Sequence, residues 1–197
     1  MTGASRGNCN AMTDENRRGL REALKLVAVT LKEGDVPFAL VGGYALWARG
    51  GPEPHHDVDF MVAEEDAARV QALLAEAGLH VVQPPEDWLF KVFIGSEPST
   101  AMVDVLFRAN GVPVTRERFA EVDEIEVESV QMPVLDATTL MSDRLNAMEE
   151  HACNFGASLP VARAVREQVD WEEVERRTED NPFAASFLFL VRRLGIV

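Results

Sequence analysis

Acidic residues interrupt two segments that otherwise consist of apolar, strand-forming residues. Asp57 and Asp59 lie one residue apart in DVDFMV, and Asp104 lies between two valines in AMVDVLF. Side chains alternate along a strand, so Asp57 and Asp59 would share one face. A buried carboxylate is costly unless a cation pairs with it, and carboxylate oxygens are ligands that Mg²⁺ prefers. The three acids are therefore predicted to be catalytic metal ligands, provided that the two strands are neighbours.

No side chain in the sequence is assigned to neutralise these acids, so metal ions are expected to be their positive partners. Three converging carboxylates would supply a two-metal site for Mg²⁺, or for Mn²⁺, in which one ion activates an attacking oxygen and both stabilise charge. Such a site would act on the phosphates of a nucleoside triphosphate, because phosphates complete the shell of protein-bound Mg²⁺.

Two glycines and one lysine are the predicted nucleotide-binding residues. Gly42 and Gly43 follow the apolar run FALV and open a short helix, where bare backbone N–H groups would face a phosphate. Lys91 lies in the middle of WLFKVFIG, between the two acidic strands, and could reach the triphosphate. A lysine that faces solvent from a strand is an equal alternative for Lys91.

Three further residues are weaker candidates, and one more pair is rejected. His55 and His56 precede the acids and could touch phosphate or base, although simple loop histidines are favoured. Arg144 could contact a phosphate across a cleft, but a surface ion pair is favoured for it. His151 and Cys153 lack a second pair of ligands, so a zinc site is rejected.

The order of the motifs resembles the nucleotidyltransferase superfamily that includes DNA polymerase β. In that superfamily Gly-Gly opens a helix, Asp-x-Asp follows on a strand, and a third aspartate lies on a later strand. Gly42, Gly43, Asp57, Asp59 and Asp104 match these positions. The resemblance implies a mixed sheet with helices packed on it, two Mg²⁺ ions held by the aspartates, and transfer of a nucleoside monophosphate to an acceptor hydroxyl with release of pyrophosphate.

Two branches of this superfamily are the most similar. The stretch GGYALWARGGPEPHHDVDF is similar to small antibiotic nucleotidyltransferases that act on aminoglycosides and lincosamides. A core followed by a helical tail resembles the AbiEii-type toxins, some of which add nucleotides to tRNA. Two departures leave the metal ligands intact and alter positions near the triphosphate: residues 53–56 replace an Arg-x-Ser or Arg-x-Thr motif, and Tyr44 replaces a serine.

The first expectation for function is a Mg²⁺-dependent, ATP-binding nucleotidyltransferase that transfers a nucleoside monophosphate to an acceptor hydroxyl. A toxin of a toxin–antitoxin pair, with tRNA as acceptor and an antitoxin as partner, is the first form considered for it. One alternative is transfer to a small hydroxylated molecule, and another is a non-catalytic protein-binding module. Lysine and arginine total 19 against 33 acidic residues, a net charge of −14, which disfavours a free RNA-binding enzyme. A basic cleft rim from Arg17, Arg18 and Arg21 would offset that charge.

The periodicity predicts an α/β (α+β) fold: a mixed-sheet core over 12–132, preceded by a disordered start over 1–11 and followed by a helical region over 133–197. Thr13, followed by two acids, is the predicted cap of the first helix. The predicted strands are 38–41, 57–62, 79–82, 88–95, 101–107 and 124–132. The later helices are predicted at 44–48, 64–78, 136–151, 159–168, 171–179 and 183–194, the last with a core stripe of Phe183, Phe187, Leu190 and Leu194.

Composition places the chain among globular proteins. Apolar residues make up 47% of it, which suffices for a full core. Two cysteines are too few for a disulfide framework, so a reduced, cytoplasmic protein is expected. No run approaches the 18 or more apolar residues of a membrane span, and the first ten residues lack the apolar region of a signal peptide. The sequence therefore predicts no membrane partner.

Overall fold

A mixed seven-stranded sheet with helices packed on it forms the centre of the molecule. The structure is a computed structural model that describes residues 7–54, 57–94, 102–120 and 122–197, with the backbone alone for residues 7–13. The helices are α1 (Gly7–Glu33), α2 (Gly42–Ala48), α3 (Ala67–Glu76), α4 (Ala137–Asn146), α5 (Phe155–Val165), α6 (Trp171–Arg177) and α7 (Pro182–Arg193). The strands are β1 (Phe38–Val41), β2 (Val58–Val62), β3 (His80–Val82), β4 (Leu89–Phe93), β5 (Met102–Leu106), β6 (Arg108–Ala109), β7 (Val112–Pro113), β8 (Val122–Val127) and β9 (Val130–Leu135).

The strand order is β3-β4-β5-β2-β1-β9-β8, and β6 and β7 form a separate two-stranded hairpin. β2 runs parallel to β5 and β1 runs parallel to β9, whereas the other neighbouring strands are antiparallel. This arrangement confirms the predicted α/β fold with a mixed sheet.

Alternation along the central strands gives the sheet two different faces. In β2, Val58 and Phe60 are fully buried, whereas Asp59 on the opposite face is partly exposed. In β5, Val103 and Val105 are fully buried on the core face of the strand, opposite the face that carries Asp104. Helices α1 and α3 pack together on the apolar face, so the face that carries the aspartates is left for a cleft.

The long helix α1 presents a buried stripe to the sheet, as its periodicity predicts: Leu20, Leu24, Val27 and Leu31 are at most 5% exposed. Its predicted start at Thr13 is wrong, because the helix already runs from Gly7. The segment before Thr13 contains no proline that would prevent helix formation. The helix therefore extends on the N-terminal side of the predicted cap. Of the predicted disordered start, residues 1–6 lie outside the described residues and 7–11 are helical.

The single strand predicted over 124–132 is wrong, because this segment folds as the hairpin of β8 and β9. The turn consists of Glu128 and Ser129, whose φ angles of 50° and 67° are left-handed. Two consecutive left-handed residues are typical of the two-residue hairpin turn, which usually contains asparagine or glycine. Because neither is present, no turn signal marks this position in the sequence, and β9 continues to Leu135 between β1 and the edge strand β8.

The helices after β9 pack on one another and on α2. Their first turns are capped by side chains of Asp136, Asn154, Asp170 and Asn181. α4 ends at Asn146 rather than 151, and α5 begins at Phe155 rather than 159. In α7 the predicted stripe is partly wrong, since Leu194 is 48% exposed and the buried residues are Ala184, Phe187, Leu188 and Val191. Within the described ranges, none of the helices has the length and hydropathy needed to cross a bilayer.

Candidate active site

Parallel pairing of β2 with β5 places Asp59 and Asp104 side by side. The two residues are directly paired in the register, and both side chains lie on the cleft face of the sheet. Asp57 immediately precedes β2, and its charge acts on both of the other carboxylates. The strand adjacency that the metal-site hypothesis required is therefore present, and it depends on packing between segments that are distant in the sequence.

The Asp59 carboxylate experiences an unfavourable environment for negative charge. Burial, followed by repulsion from Asp104 and then from Asp57, raises the pKa of Asp59 to about 7 from an ordinary value of 3.8. The charge of Lys91 and a hydrogen bond from the Gly43 N–H lower this pKa, but they do not compensate. A carboxylate cluster with these pKa shifts favours binding of an additional cation.

The two glycines contact Asp59 directly. Gly42 has φ +64°, and a Cβ atom there would lie 2.1 Å from Asp59 Oδ2. The backbone N–H of Gly43 donates a hydrogen bond to the Asp59 carboxylate. Glycine at position 42 therefore serves two needs, a left-handed backbone and close approach of the carboxylate. Contact of either glycine with a nucleotide remains a prediction.

Lys91 is a positive partner that the sequence analysis did not assign to the aspartates. It lies directly opposite Asp104 across β4 and β5, and its Nζ donates to Asp104 Oδ1 at 2.9 Å and Oδ2 at 3.0 Å. Asp104 is 8% exposed, and burial raises its pKa despite the opposing effect of Lys91. The expectation that metal ions alone balance the aspartates is thus wrong for Asp104. Binding of nucleotide by Lys91 remains a prediction.

The fit of the cluster to a divalent cation depends on this lysine. Among the described residues, no three side chains of His, Cys, Asp or Glu are arranged to hold a metal ion directly. Both Asp104 oxygens are engaged by Lys91 instead. The donor chemistry nevertheless fits Mg²⁺, since all donors are carboxylate oxygens, and burial together with repulsion between the carboxylates raises the pKa of Asp59. Asp57 and Asp59 therefore fit a cation, whereas a metal-ligand role for Asp104 remains a prediction, because Lys91 contacts both of its oxygens.

A cleft of about 740 Å³ opens above Asp59 and Asp104, within the size range of small-molecule sites. The sheet forms its floor, and α2, the β6–β7 hairpin, α4 and α5 form its walls. Residues that line these surfaces include Gly42, Gly43, Leu46, Asp59, Met61, Trp88, Asp104, Leu106, Arg108, Asn110, Leu140, Asp143, Arg144, Met148, Asn154 and Ser158. The floor thus combines carboxylates with apolar side chains.

Of the other residues singled out in the sequence, Arg144 lies at the cleft and Tyr44 does not. Arg144 lines the cleft, but the favoured surface ion pair is wrong, since no carboxylate pairs with it among the described residues. Its Nε donates to Ser158 Oγ at 3.0 Å instead. Tyr44 is fully buried in α2, away from the cleft lining. His55 and His56 lie outside the described residues.

The expected basic cleft rim is not seen in the part of the chain that the structure describes. Arg21 donates to both oxygens of Glu53 at 2.8 Å and stacks over the Trp47 ring at 5.1 Å. Arg17 pairs with Asp14 at 2.9 Å, and neither Arg17, Arg18 nor Arg21 lines the cleft. These arginines lie on α1, which packs on the opposite face of the sheet.

The sequence analysis missed several cleft residues, among them Trp88, Asp143 and Ser158. Trp88 is 41% exposed beside the floor, and Asp143 on α4 faces the cleft while pairing with Arg118 at 2.8 Å. Ser158 reaches the cleft from α5. None of the three belongs to a recognisable motif. Trp88 lies just before β4, whereas Asp143 and Ser158 reach the cleft through the packing of α4 and α5.

The sequence profile described as aminoglycoside-2''-adenylyltransferase matches residues 23–129. This match spans more than half of the 197 residues and includes both glycines, the three aspartates and Lys91. Among curated protein sequences, none matches the chain.

Several solved structures share the fold at low sequence identity. ANT(2")-Ia in complex with adenylyl-2"-tobramycin has a TM-score of 0.59 and 17% identity, over 85% of this chain and 95% of that one. The solution structure of the antibiotic-resistance factor ANT(2'')-Ia has a TM-score of 0.56 and 16% identity, over 89% and 94%. An antigenic nucleotidyltransferase-like protein from Paracoccidioides brasiliensis has a TM-score of 0.54 and 10% identity, over 87% and 92%. The fold is thus that of nucleotidyltransferases, including the helices after the sheet.

Proposed function

The chain belongs to the aminoglycoside-2''-adenylyltransferase family, and on that premise we propose that it transfers the adenylyl group of ATP to a hydroxyl of a small, amine-bearing molecule of the aminoglycoside class. It is a nucleotidyltransferase by family, which argues against the non-catalytic alternative. The acceptor is the finer part of the proposal, and the family match favours the small-molecule alternative over the toxin and tRNA that were expected first.

The observation that carries the proposal is the pairing of Asp59 with Asp104 on the floor of the cleft. In the transfer, the acceptor oxygen forms a bond to the α-phosphorus of ATP, and the bond from that phosphorus to the bridging oxygen breaks. Pyrophosphate leaves with the electron pair of the broken bond. The proton of the acceptor hydroxyl passes to a carboxylate, and Asp104 suits this role because burial raises its pKa.

The remaining residues of the site bind and orient. Asp57 and Asp59 hold the divalent cation, which supplies positive charge beside the phosphates when it is bound. The glycines at 42 and 43 let the backbone approach Asp59 closely enough to fix its carboxylate by a hydrogen bond from the Gly43 N–H. Lys91 holds Asp104 in place and favours its ionised form, because the ammonium opposes the rise in pKa that burial causes. Placement of reactants and stabilisation of charge are the main contributions of such a site.

The negative charge of the cleft lining and the volume of the cleft support a small cationic acceptor. Among the described residues, the cleft lining holds the carboxylates of Asp59, Asp87, Asp104 and Asp143 against two arginines. The whole chain carries a net charge of −14, which attracts a polyamine and repels a polyanion such as tRNA. A cleft of about 740 Å³ also accommodates a small molecule.

The test is a transfer assay with purified protein, ATP and Mg²⁺. Tobramycin, other aminoglycosides, a lincosamide and total tRNA are offered separately, and pyrophosphate release is measured together with the mass of the product. We expect an aminoglycoside to gain one AMP, and the Asp59→Asn variant to be inactive. Labelling of tRNA without labelling of any small molecule would restore the toxin hypothesis, and absence of transfer to every acceptor would overturn the proposal.

A further inference from the structure

Arg144 faces the cleft, and no carboxylate in the described part of the chain forms an ion pair with it. It lies in the last turn of α4, and its Nε donates to Ser158 Oγ at 3.0 Å. Within the described ranges no carboxylate pairs with it, and its two Nη atoms are neither hydrogen-bonded nor among the fully buried polar atoms that lack a partner. The two Nη atoms therefore retain solvent-accessible surface on a residue that lines the cleft.

The nearby carboxylates are already engaged by other arginines. Asp143, the neighbour of Arg144 in sequence, accepts from Arg118 Nη2 at 3.0 and 2.8 Å. Arg108, the other arginine of the cleft lining, donates to Glu64 at 2.7 Å and to Asp87 at 3.3 Å. Arg144 is thus the one arginine of this lining that lacks a counter-charge among the described residues.

The position of Arg144 is fixed by the surrounding helices. The Asn181 side chain donates from Nδ2 to the carbonyls of Leu145, Asn146 and Met148 at 3.3, 3.2 and 3.0 Å, which anchors the end of α4 to α7. The hydrogen bond to Ser158 orients the guanidinium from α5. A cation held in this way has already lost much of its side-chain entropy, so binding of a ligand costs less.

Burial without a counter-charge is unfavourable for Arg144 in the absence of ligand. Its pKa is lowered by burial, and no charged group opposes that effect among the described residues. An anion placed against the two Nη groups would restore the lost stabilisation, and two parallel N–H groups match the oxygens of a phosphate.

We propose that Arg144 binds the triphosphate of the nucleotide from the α4 side of the cleft, opposite the aspartates on the sheet. The inference rests on the proposed function, because a nucleoside triphosphate is the anion which that function brings to this cleft. Cations at both sides, Arg144 on one and a metal ion on the other, would hold the phosphates between them and stabilise the leaving pyrophosphate. An anionic group on the acceptor would have the same chemistry, and the experiment distinguishes the two sources.

The test compares Arg144→Gln with Arg108→Gln, which removes the same charge from the same cleft lining but from a residue that is already paired. Titration with ATP and with inorganic tripolyphosphate, in the presence of Mg²⁺, measures affinity. We expect Arg144→Gln to weaken both by at least about tenfold, since the charge-assisted hydrogen bonds to phosphate are lost. Arg108→Gln should change them by less than about threefold, and the affinity for adenosine should stay unchanged in both variants.

Arg144→Lys retains the charge and should recover part of the affinity, which guards against a folding defect in Arg144→Gln; melting curves of all variants check this directly. If Arg144→Gln binds ATP and tripolyphosphate like the wild type, the inference is wrong while the proposed function survives. If only the KM of the acceptor rises, Arg144 serves an anionic acceptor, and the inference is again wrong. A wild-type protein that binds neither ATP nor tripolyphosphate would overturn both.

Discussion

Lys91 and Asp104 lie directly opposite each other on β4 and β5, and the lysine Nζ contacts both carboxylate oxygens, at 2.9 and 3.0 Å. This contact leaves Asp57 and Asp59 as the carboxylates of the cluster without a basic side chain bonded to them among the described residues. Burial and repulsion within the cluster raise the pKa of Asp59 to about 7. The charge distribution of the metal-free site is therefore asymmetric, and it has measurable consequences.

The first consequence is a pH dependence of stability in EDTA. In the folded protein Asp59 keeps its proton up to about pH 7, whereas in the unfolded chain it loses it near its ordinary value of 3.8. Between these values the folded state binds more protons, so the free energy of unfolding should fall as pH rises from about 4 to 7. The expected fall is on the order of 2 kcal/mol, less than the full shift implies, because the neighbouring carboxylates titrate together.

Urea denaturation at several pH values in EDTA measures this effect. Asp59→Asn should remove most of the slope, whereas Asp180→Asn, which deletes a carboxylate at an exposed position, should leave it unchanged. Addition of Mn²⁺ to the wild type should flatten the slope as well. Equal slopes in wild type and Asp59→Asn would show that Asp59 is ionised throughout this range.

A second prediction concerns Gly42. Substitution by alanine forces a side chain into a left-handed backbone, at a cost of about 1–2 kcal/mol, and places its Cβ 2.1 Å from Asp59 Oδ2. The carboxylate must move, so Gly42→Ala should lose at least about 2 kcal/mol of stability. The same displacement should weaken the binding of Mn²⁺.

The control for Gly42 is Gly78, which also has a left-handed backbone, with φ +83°, but would have open space around an added Cβ atom. Gly78→Ala should lose only the cost of the backbone conformation, about 1 kcal/mol, with unchanged Mn²⁺ affinity. Thermal melts and Mn²⁺ titration compare the two variants. Similar losses of metal affinity in both would mean that the contact with Asp59 is unimportant.

Local sequence pattern was sufficient to predict which strand face carries the aspartates and where β1 ends. Alternation places Asp59 on the face opposite buried Val58 and Phe60. It likewise places Asp104 opposite buried Val103 and Val105, and Gly-Gly marks the end of β1. The pairing of Lys91 with Asp104 was not predicted, because it depends on the antiparallel register of two strands whose relative alignment no local pattern specifies. A register shift of one residue would have placed Lys91 on the other face.

The residues of the cleft walls and the turn of the β8–β9 hairpin were not predicted either, because no local sequence pattern specifies them. Asp143 and Arg144 occupy adjacent positions on one helix, yet one pairs with Arg118 and the other bonds to Ser158. Helical periodicity predicts which residues face the core, but it does not predict which helix packs beside which. In the β8–β9 turn, Glu128 and Ser129 both adopt the left-handed backbone conformation, which residues of these types ordinarily avoid.

A third prediction follows from the buried hydroxyl of Tyr44. It is fully buried and has no hydrogen-bond partner among the described residues, and burial raises its pKa to about 12. Tyr44→Phe removes this unsatisfied group and keeps the ring, which packs edge-on against Trp47 with centroids 5.7 Å apart. We expect stability to rise by about 1 kcal/mol, with unchanged ATP affinity, because Tyr44 lies away from the cleft.

Thermal and urea denaturation measure the change in Tyr44→Phe, and Tyr44→Ala serves as the contrasting variant. Loss of the ring should cost about 3–5 kcal/mol, since it leaves a cavity in the core. A loss of about 1 kcal/mol or more in Tyr44→Phe would indicate that the hydroxyl is satisfied in solution. A loss of ATP affinity in Tyr44→Phe would instead place this residue at the triphosphate.

The last prediction returns to Lys91, whose ammonium competes with a divalent cation for the Asp104 oxygens. Lys91→Met removes the competitor and leaves Asp104 buried without a partner. In EDTA this variant should be less stable than the wild type by about 2–4 kcal/mol, because a charged group loses its counter-ion. In Mn²⁺ the difference should shrink, since the metal can now use all three carboxylates. The increase of melting temperature caused by Mn²⁺ should therefore be larger in Lys91→Met than in the wild type.

Lys91→Arg is the matched control, because it keeps a cation opposite Asp104 and should show a wild-type response to Mn²⁺. Melting curves with EDTA and with increasing Mn²⁺, together with titration of Mn²⁺ binding, separate the two effects. A smaller Mn²⁺ response in Lys91→Met than in the wild type would mean that Lys91 supports the cation site, for example by orienting Asp104 towards it. In that case Lys91 and the cation would not compete for the Asp104 oxygens. The ammonium would instead stay bonded to Asp104 while the cation is bound.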